Sequence, residues 1–155
     1  MVKPGEQIRP YEQADEPFLW EVLYEALYRP PEQPPFDREI LQHPDIRKYL
    51  SDFGRMGDEA FVLEVEGKQA GACWIRQFEA DAPGYGFVDS RTPELTRLLD
   101  FANNALTMAG IAQISLSVDK RSPAVRLYQR LGYETLSDLD TAFTMIIHLP
   151  STNTR

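Results

Sequence analysis

Few side chains in this sequence can do covalent or metal chemistry, and their spacing narrows the choice further. The chain holds one cysteine and two histidines among 155 residues. The lone Cys73 excludes an internal disulfide framework and a cysteine metal cluster. Its place between Ala72 and Trp74 in an apolar strand pattern reads as a small core residue rather than a nucleophile. His43 and His148 lie too far apart in sequence to suggest a ligand pair, and His43, just before Pro44, suits a surface or capping role. No metal site is expected. The most informative stretch is Ile114 to Tyr133, ISLSVDKRSPAVRLYQRLGY. Ile114, Leu116 and Val118 alternate with Ser115, Ser117 and Asp119, the pattern of a strand with one buried face. Ser122 can cap a helix, and Pro123 fits a first helical position, where its missing N–H costs nothing. Val125, Leu127, Tyr128 and Leu131 recur at helical spacing. Arg126 and Arg130 suit the negative end of the helix dipole, and Gly132 supplies a left-handed stop.

This strand, polar loop, short helix and glycine resemble the C-terminal signature of the GNAT superfamily, the acetyl-CoA-dependent N-acetyltransferases, whose form is A-x-x-L-Y-x-x-x-G-F/Y. The matching residues are Ala124, Leu127, Tyr128, Gly132 and Tyr133. The resemblance implies an α+β fold, a mixed and mostly antiparallel GNAT-like sheet flanked by helices. It implies acetyl-CoA as co-substrate and direct attack on the thioester by a primary amine of a small molecule or peptide. Backbone N–H groups of the fourth strand would polarise the carbonyl, and Tyr128 would protonate the leaving thiolate. The plainer alternative for Tyr128 is a buried helix tyrosine with a satisfied hydroxyl. A water or carboxylate would take the amine proton. Glu79, Asp81 and Asp89 are candidates from their place near expected strand ends, solvated acidic loops being the alternative. Trp20, Tyr24 and Tyr28 fall where relatives wall the acceptor site, against the alternative of simple aromatic packing.

The elements that must position these residues follow in chain order. Ile8-Arg9-Pro10 is a first strand. Asp15 is read as the N-cap of a helix running to about Tyr28, with Phe18, Val22, Leu23, Ala26 and Leu27 as its core stripe. Arg29 to Pro35, RPPEQPP, is an extended loop, since proline disfavours helix at the residue before it. Asp37 caps a second helix that Pro44 interrupts, and a further short helix ends at Gly54. Glu59 to Phe78 is a hairpin turning at Gly67-Lys68, with Ala70, Ala72, Trp74 and Arg76 on one face of the returning strand. Thr92, Pro93 and Glu94 read as a helix start. Its stripe would be Leu95, Leu98, Leu99, Ala102, Ala105, Leu106 and Ala109, stopped by Gly110. Strands at 111–119 and Thr141–Leu149 complete the set, and 150–155 reads as a frayed tail.

The resemblance departs at the pyrophosphate loop, where the family carries R/Q-x-x-G-x-G/A at a helix N-terminus, so that glycine N–H groups and the helix dipole bind phosphate. The nearest match is Arg91-Thr92-Pro93-Glu94-Leu95-Thr96. Glu94 and Thr96 fill the glycine slots, Pro93 removes a donor, and Glu94 brings a repelling charge. Carried over residue by residue, Arg91, Thr92, Leu95 and Thr96 would touch the cofactor. Ser122 and Tyr128 would join them; Arg121, where many relatives carry an asparagine, would bind a cofactor phosphate, a solvated loop arginine being the alternative; and where the fourth strand is missing from the chain, Phe87 and Val88 would stand in for it. A second alignment treats Gly84 to Thr96 as the loop before the fourth strand and Arg97 onward, RLLDFANNAL, as the helix after the glycine loop. The fourth strand and its loop would then be absent between Thr96 and Arg97. The charge-assisted bonds at stake are worth roughly 1.5–3 kcal/mol each. A catalytically impaired GNAT-like binding module is therefore the second function the sequence allows.

Bulk numbers set the outer limits. A chain of this length reads as one domain over 1–155, and 43% hydrophobic residues suffice for a core. A net charge of −8 argues against nucleic acid, whose affinity rests on Lys and Arg against phosphate, and suits a cationic substrate. No apolar run is long enough to cross a membrane and no signal peptide is evident, so a cytoplasmic location with no membrane partner is expected. The partner is an amine substrate, and the reading allows a homodimer.

Overall fold

The structure, a computed structural model, describes residues 3–96 and 102–151. The chain opens with a three-stranded antiparallel meander, β1 (Glu6–Pro10), β2 (Glu59–Val65) and β3 (Lys68–Arg76). The β2–β3 turn is made by Glu66 and Gly67, at φ 51° and 78°. Both are left-handed, as a two-residue hairpin requires, so the expected turn at Gly67-Lys68 moves back by one residue. Between β1 and β2 lie α1 (Glu16–Ala26), a 3-10 turn at Arg38–Gln42 and the single helical turn α2 (Pro44–Arg47). Asp37 accepts from the Glu39 amide and starts the 3-10 turn. Pro44 opens α2 rather than breaking a longer helix, and His43 caps it by accepting from the Asp45 amide through Nδ1.

Asp15 stands at the N-cap position of α1 as read, but its side chain makes no capping bond to the helix. It is 3% exposed and accepts from both terminal nitrogens of Arg9 at 2.7 and 2.8 Å, from the Glu12 amide and from Gln69 Nε2. Arg9 holds its carboxyl well below the usual carboxylate range. A charge buried between β1 and β3 finds stronger partners there than a helix end offers. The helix also stops earlier, at Ala26, because Leu27 turns extended (ψ 112°). Leu19, Val22 and Leu23 are its buried residues.

β3 is an interior strand of the sheet, with a neighbouring strand on each edge. From Gly71 to Arg76 every residue is buried, since a core lies on each face. Ala72 and Trp74 pack with Leu19, Val22, Leu23, Tyr49, Leu50 and Val62 on the α1 face. Cys73 and Ile75 pack with Leu95, Leu106, Ile114, Leu116 and Met145 on the other. Each large apolar side chain so buried stabilises the fold by ~1.5–3 kcal/mol. Burial pushes the Cys73 thiol up to about 12, as befits a packing residue.

The principal correction lies at Thr92 to Thr96. The expected helix start is instead β4 (Glu94–Thr96), antiparallel to β3 with Trp74 opposite Thr96, Ile75 opposite Leu95 and Arg76 opposite Glu94. Thr92 caps nothing: it is buried and its hydroxyl accepts from Gln113 Nε2. The Pro93 carbonyl accepts the Ser115 amide at 3.0 Å. The local helix signal loses because the edge of β3 demands a hydrogen-bonding partner and Leu95 a place between two strands. Phe87 and Val88 do not substitute for this strand. Phe87 closes the turn at Tyr85-Gly86, its amide donating to the Gly84 carbonyl and its ring packed on the α1-side core, and Val88 lies in the irregular chain after it.

The rest of the sheet is β5 (Gln113–Asp119), β6 (Glu134–Asp138) and β7 (Ala142–His148), with α3 (Ala102–Met108) before β5 and α4 (Ala124–Arg130) after it. The order is β1-β2-β3-β4-β5-β7-β6. All neighbouring strands are antiparallel except β4 and β5. Leu98 and Leu99 of the expected stripe and residues 152–155 of the expected tail lie outside the described residues. Gly110 (φ 82°) and Gly132 (φ 98°) stop α3 and α4 as read. Among the described residues no helix is long and apolar enough to cross a membrane.

Candidate functional site

β4 and β5 run parallel and share one registered pair, Glu94 opposite Ser115. Beyond it the strands part, and both then line a cleft of about 1120 Å³. Leu95 and Thr96 form one wall and Leu116 to Asp119 the other. The end of α1 and the proline loop close one mouth through Tyr24, Tyr28, Pro31 and Phe36, while α4 supplies Ala124, Leu127 and Tyr128 from the other face. The cleft is thus walled by both strands, the end of α1, the proline loop and α4.

The chemically distinctive group in it is Glu94, 3% exposed. Its Oε1 accepts the Tyr49 hydroxyl and the Gly86 amide, each at 2.8 Å, while the Tyr85 amide donates to the Tyr49 oxygen at 2.7 Å. Burial pushes the Glu94 carboxyl up to about 7, against the opposing pull of Tyr49, the Gly86 amide and the Lys48 charge. Burial also raises the Tyr49 phenol well above its ordinary value. Glu94 Oε2, Thr96 Oγ1 and Ser115 Oγ, all at the fork, are buried with no hydrogen-bond partner among the described residues. A carboxyl that titrates near neutrality beside a cleft can take or give a proton under working conditions.

The structure brings together only part of the set read from sequence. Tyr128, half-buried, packs against Tyr133 (ring centroids 5.8 Å apart) and faces the cleft with Leu95, Thr96 and Ser122. The Ser122 hydroxyl also accepts the Ala124 amide, the first of α4, at 3.2 Å. Tyr24 and Tyr28 also line the cleft. The Tyr24 hydroxyl donates to the Phe36 carbonyl at 2.6 Å, and the Tyr28 hydroxyl to the Arg121 carbonyl. Arg121 itself is exposed and bound to Asp119 at 2.9 Å, which holds the Asp119 carboxyl below its ordinary value. Trp20 lies off the cleft, its indole N–H directed at Glu16. Phe87, Val88, Arg91 and Thr92 do not line the cleft either. Nor do Glu79, Asp81 and Asp89, all exposed. Glu79 sits in a local bridge with Ala82, and Asp89 accepts the Arg91 amide. No cluster of metal-binding side chains occurs among the described residues.

Glu94 is the residue that sequence reasoning undervalued, since it registered only as a misplaced charge in a glycine slot. Two nearby glycines carry the missed signal. A Cβ on Gly84 would stand 2.0 Å from Glu94 Oε2, and one on Gly86 would meet the Leu116 and Ser117 backbone at 2.6 and 2.8 Å. Gly84-Tyr85-Gly86 is glycine-framed because it must close around a carboxylate and against β5.

Comparison with known proteins defines the class by fold. No protein-family model matches the chain, and no curated protein does, but solved structures match over nearly its full length. The spermidine N-acetyltransferase of Vibrio cholerae, solved in complex with CoA and spermine, superposes with a TM-score of 0.57 at 15% identity, over 94% of this chain and 96% of that one. A GNAT-family acetyltransferase from Streptococcus pneumoniae gives 0.56 at 16%, covering 94% and 99%. A probable acetyltransferase from Staphylococcus epidermidis gives 0.60 at 12%, also covering 94% and 99%. The fold is that of the GNAT acetyltransferases, a mixed α+β sheet flanked by helices, as the Tyr128 segment led one to expect.

Proposed function

We propose that this protein is an acetyl-CoA-dependent N-acetyltransferase of the GNAT superfamily, acting on a primary amine of a small molecule or peptide. The observation that carries the reading is the placing of Glu94, with a carboxyl near neutrality, and Tyr128 in one cleft at the fork of β4 and β5. The spermine bound to the Vibrio cholerae enzyme and the net negative charge of this chain support a cationic acceptor. Unpartnered buried oxygens at the fork fit a ligand with polar groups, and Leu95, Leu116, Ala124 and Leu127 fit its apolar arm. Acetyl-CoA would supply the acetyl group as a thioester. Glu94 takes the proton released as the amine nitrogen bonds to the carbonyl carbon, and Tyr128 gives its proton to the sulfur as the carbon–sulfur bond breaks. Ser115 sends its N–H from β5 toward Pro93. By strand alternation the Ser117 amide would point along the same edge, where it would polarise the thioester carbonyl. The apolar wall excludes water from the thioester.

A second reading, a GNAT-fold module that no longer catalyses, draws on one observation: no glycine occurs from Phe87 to Ala109, so the pyrophosphate lacks a glycine cradle. Calorimetric titration with acetyl-CoA, and desulfo-CoA as control, separates the two. Micromolar binding followed by thiol release in a screen of polyamines and peptides supports the transferase. Absence of binding at millimolar acetyl-CoA sinks it and leaves the module.

A further inference from the structure

The carboxyl at the fork is held by a residue that the chemistry above does not use. Tyr49, 7% exposed, is fixed on all sides. Its ring meets Phe78 edge-on at 5.2 Å and stacks on Tyr85 at 6.4 Å. Its backbone carbonyl accepts the Trp74 indole N–H at 3.0 Å, and the carbonyl of the preceding Lys48 accepts Arg76 Nη1 at 2.9 Å. The segment after α2 is thereby tied to β3, and the Tyr49 ring cannot swing. A hydroxyl has one proton to give. The Tyr85 amide already donates to this oxygen at 2.7 Å, so the Tyr49 proton is directed to Glu94 Oε1 at 2.8 Å. Oε1 also accepts the Gly86 amide, while Oε2, packed against Gly84, has no donor among the described residues. The two oxygens of one carboxyl are therefore inequivalent, and a proton arriving at Glu94 resides on Oε2.

We propose that Tyr49 is a positioning residue for Glu94: anchored by the Tyr85 amide, it pins Oε1 and leaves Oε2 as the oxygen that exchanges protons. This rests on the reading of Glu94 as the proton acceptor. The other groups that face the carboxyl leave Tyr49 as its side-chain donor among the described residues. Lys48 lies over the Tyr85 ring at 5.1 Å and donates to the Pro83 carbonyl. Arg76, in register on β3, is turned into Asp58. Tyr85 contributes its backbone, and Thr96 and Ser115 are uncharged.

The test is Tyr49→Phe in the full chain, read in two ways. A carboxyl-carbon NMR titration, with the Glu94 signal assigned by its loss in Glu94→Gln, should show the midpoint rising by about one pH unit, because a donor to the charged form is gone. The acid limb of kcat/KM against pH should rise with it while KM for the amine holds, and the displacement should vanish in a Glu94→Gln background. Site-specific fluorotyrosine at position 49, a stronger donor that preserves packing, should move the midpoint down. It decides the question if Tyr49→Phe does not fold. A midpoint that stays fixed in both variants overturns the role, even if transferase activity is present. A midpoint that moves as stated in a protein with no turnover on any amine keeps Tyr49 as the positioning residue and removes the transferase reading.

Discussion

Replacing Glu94 by glutamine should change how the stability of this protein depends on pH, whatever its reaction. The folded carboxyl sits at about 7 against an ordinary 4.5, raised first by burial. Its folded state therefore binds a proton more tightly than the unfolded chain does. The stabilisation from that proton is complete below about 4.5 and is lost as pH rises through 7. At ~1.36 kcal/mol per pH unit of displacement, the loss amounts to roughly 3 kcal/mol, a large share of the 5–15 kcal/mol typical of a folded domain. Glutamine cannot titrate, but its oxygen can still accept from Tyr49 and Gly86. Urea unfolding followed by tryptophan fluorescence from pH 4 to 8, on both proteins, isolates the contribution, since other carboxylates cancel in the difference. Wild type should lose roughly 3 kcal/mol relative to Glu94→Gln across that window, with most of the change between pH 4.5 and 7. A difference that is flat with pH, or that grows in favour of wild type toward pH 8, refutes the reasoning.

Arg76→Met should cost about 3–5 kcal/mol in the same unfolding assay. It strands an Asp58 carboxylate that is 1% exposed and strips donors from the Lys48 and Ser51 carbonyls. Stability within experimental error of wild type would show that the pair is dispensable. Gly86→Ala forces a Cβ to within 2.6 Å of the Leu116 backbone and should destabilise by ~1–3 kcal/mol while blocking acetyl-CoA binding by calorimetry. An unchanged melting point and titration would mean that the turn moves aside at no cost. Tyr128→Phe should lower kcat by ~100-fold or more and leave acetyl-CoA affinity intact, whereas an unchanged kcat would remove Tyr128 as the proton donor.

How much of this was legible in the chain can be judged residue by residue. The alternation of Ile114, Leu116 and Val118, the helix through Tyr128 and the stop at Gly132 are local matters. Side-chain period and glycine geometry settle them without help from distant residues, and they appear as read. The two faces of β3 were likewise written in the alternation of Ala72, Cys73, Trp74 and Ile75. At Thr92 to Thr96 the local code pointed the wrong way. Thr-Pro-Glu is a sound helix start in isolation, yet β3 and β5 both present unpaired edges there, and the gain from pairing outweighs propensity. Asp15 shows the same override on a single side chain, leaving the helix end for Arg9.

The candidate site divides along the same line. Sequence alone determined the strand, helix and glycine stop of the segment bearing Tyr128, because these depend on periodicity and glycine geometry within a few residues, and the resemblance of that segment to the GNAT signature implied the fold class. Only the tertiary structure decided which acid belongs to the cleft. Glu79, Asp81 and Asp89 resemble Glu94 in type, but they are exposed and do not line the cleft. Glu94 is carried by a three-residue strand into the sheet, against Tyr49 from one loop and Gly86 from another. Desolvation is a property of what surrounds a group, and these surroundings come from segments 45 and 8 residues away in the chain. No reading of the neighbours of Glu94 along the sequence could supply them.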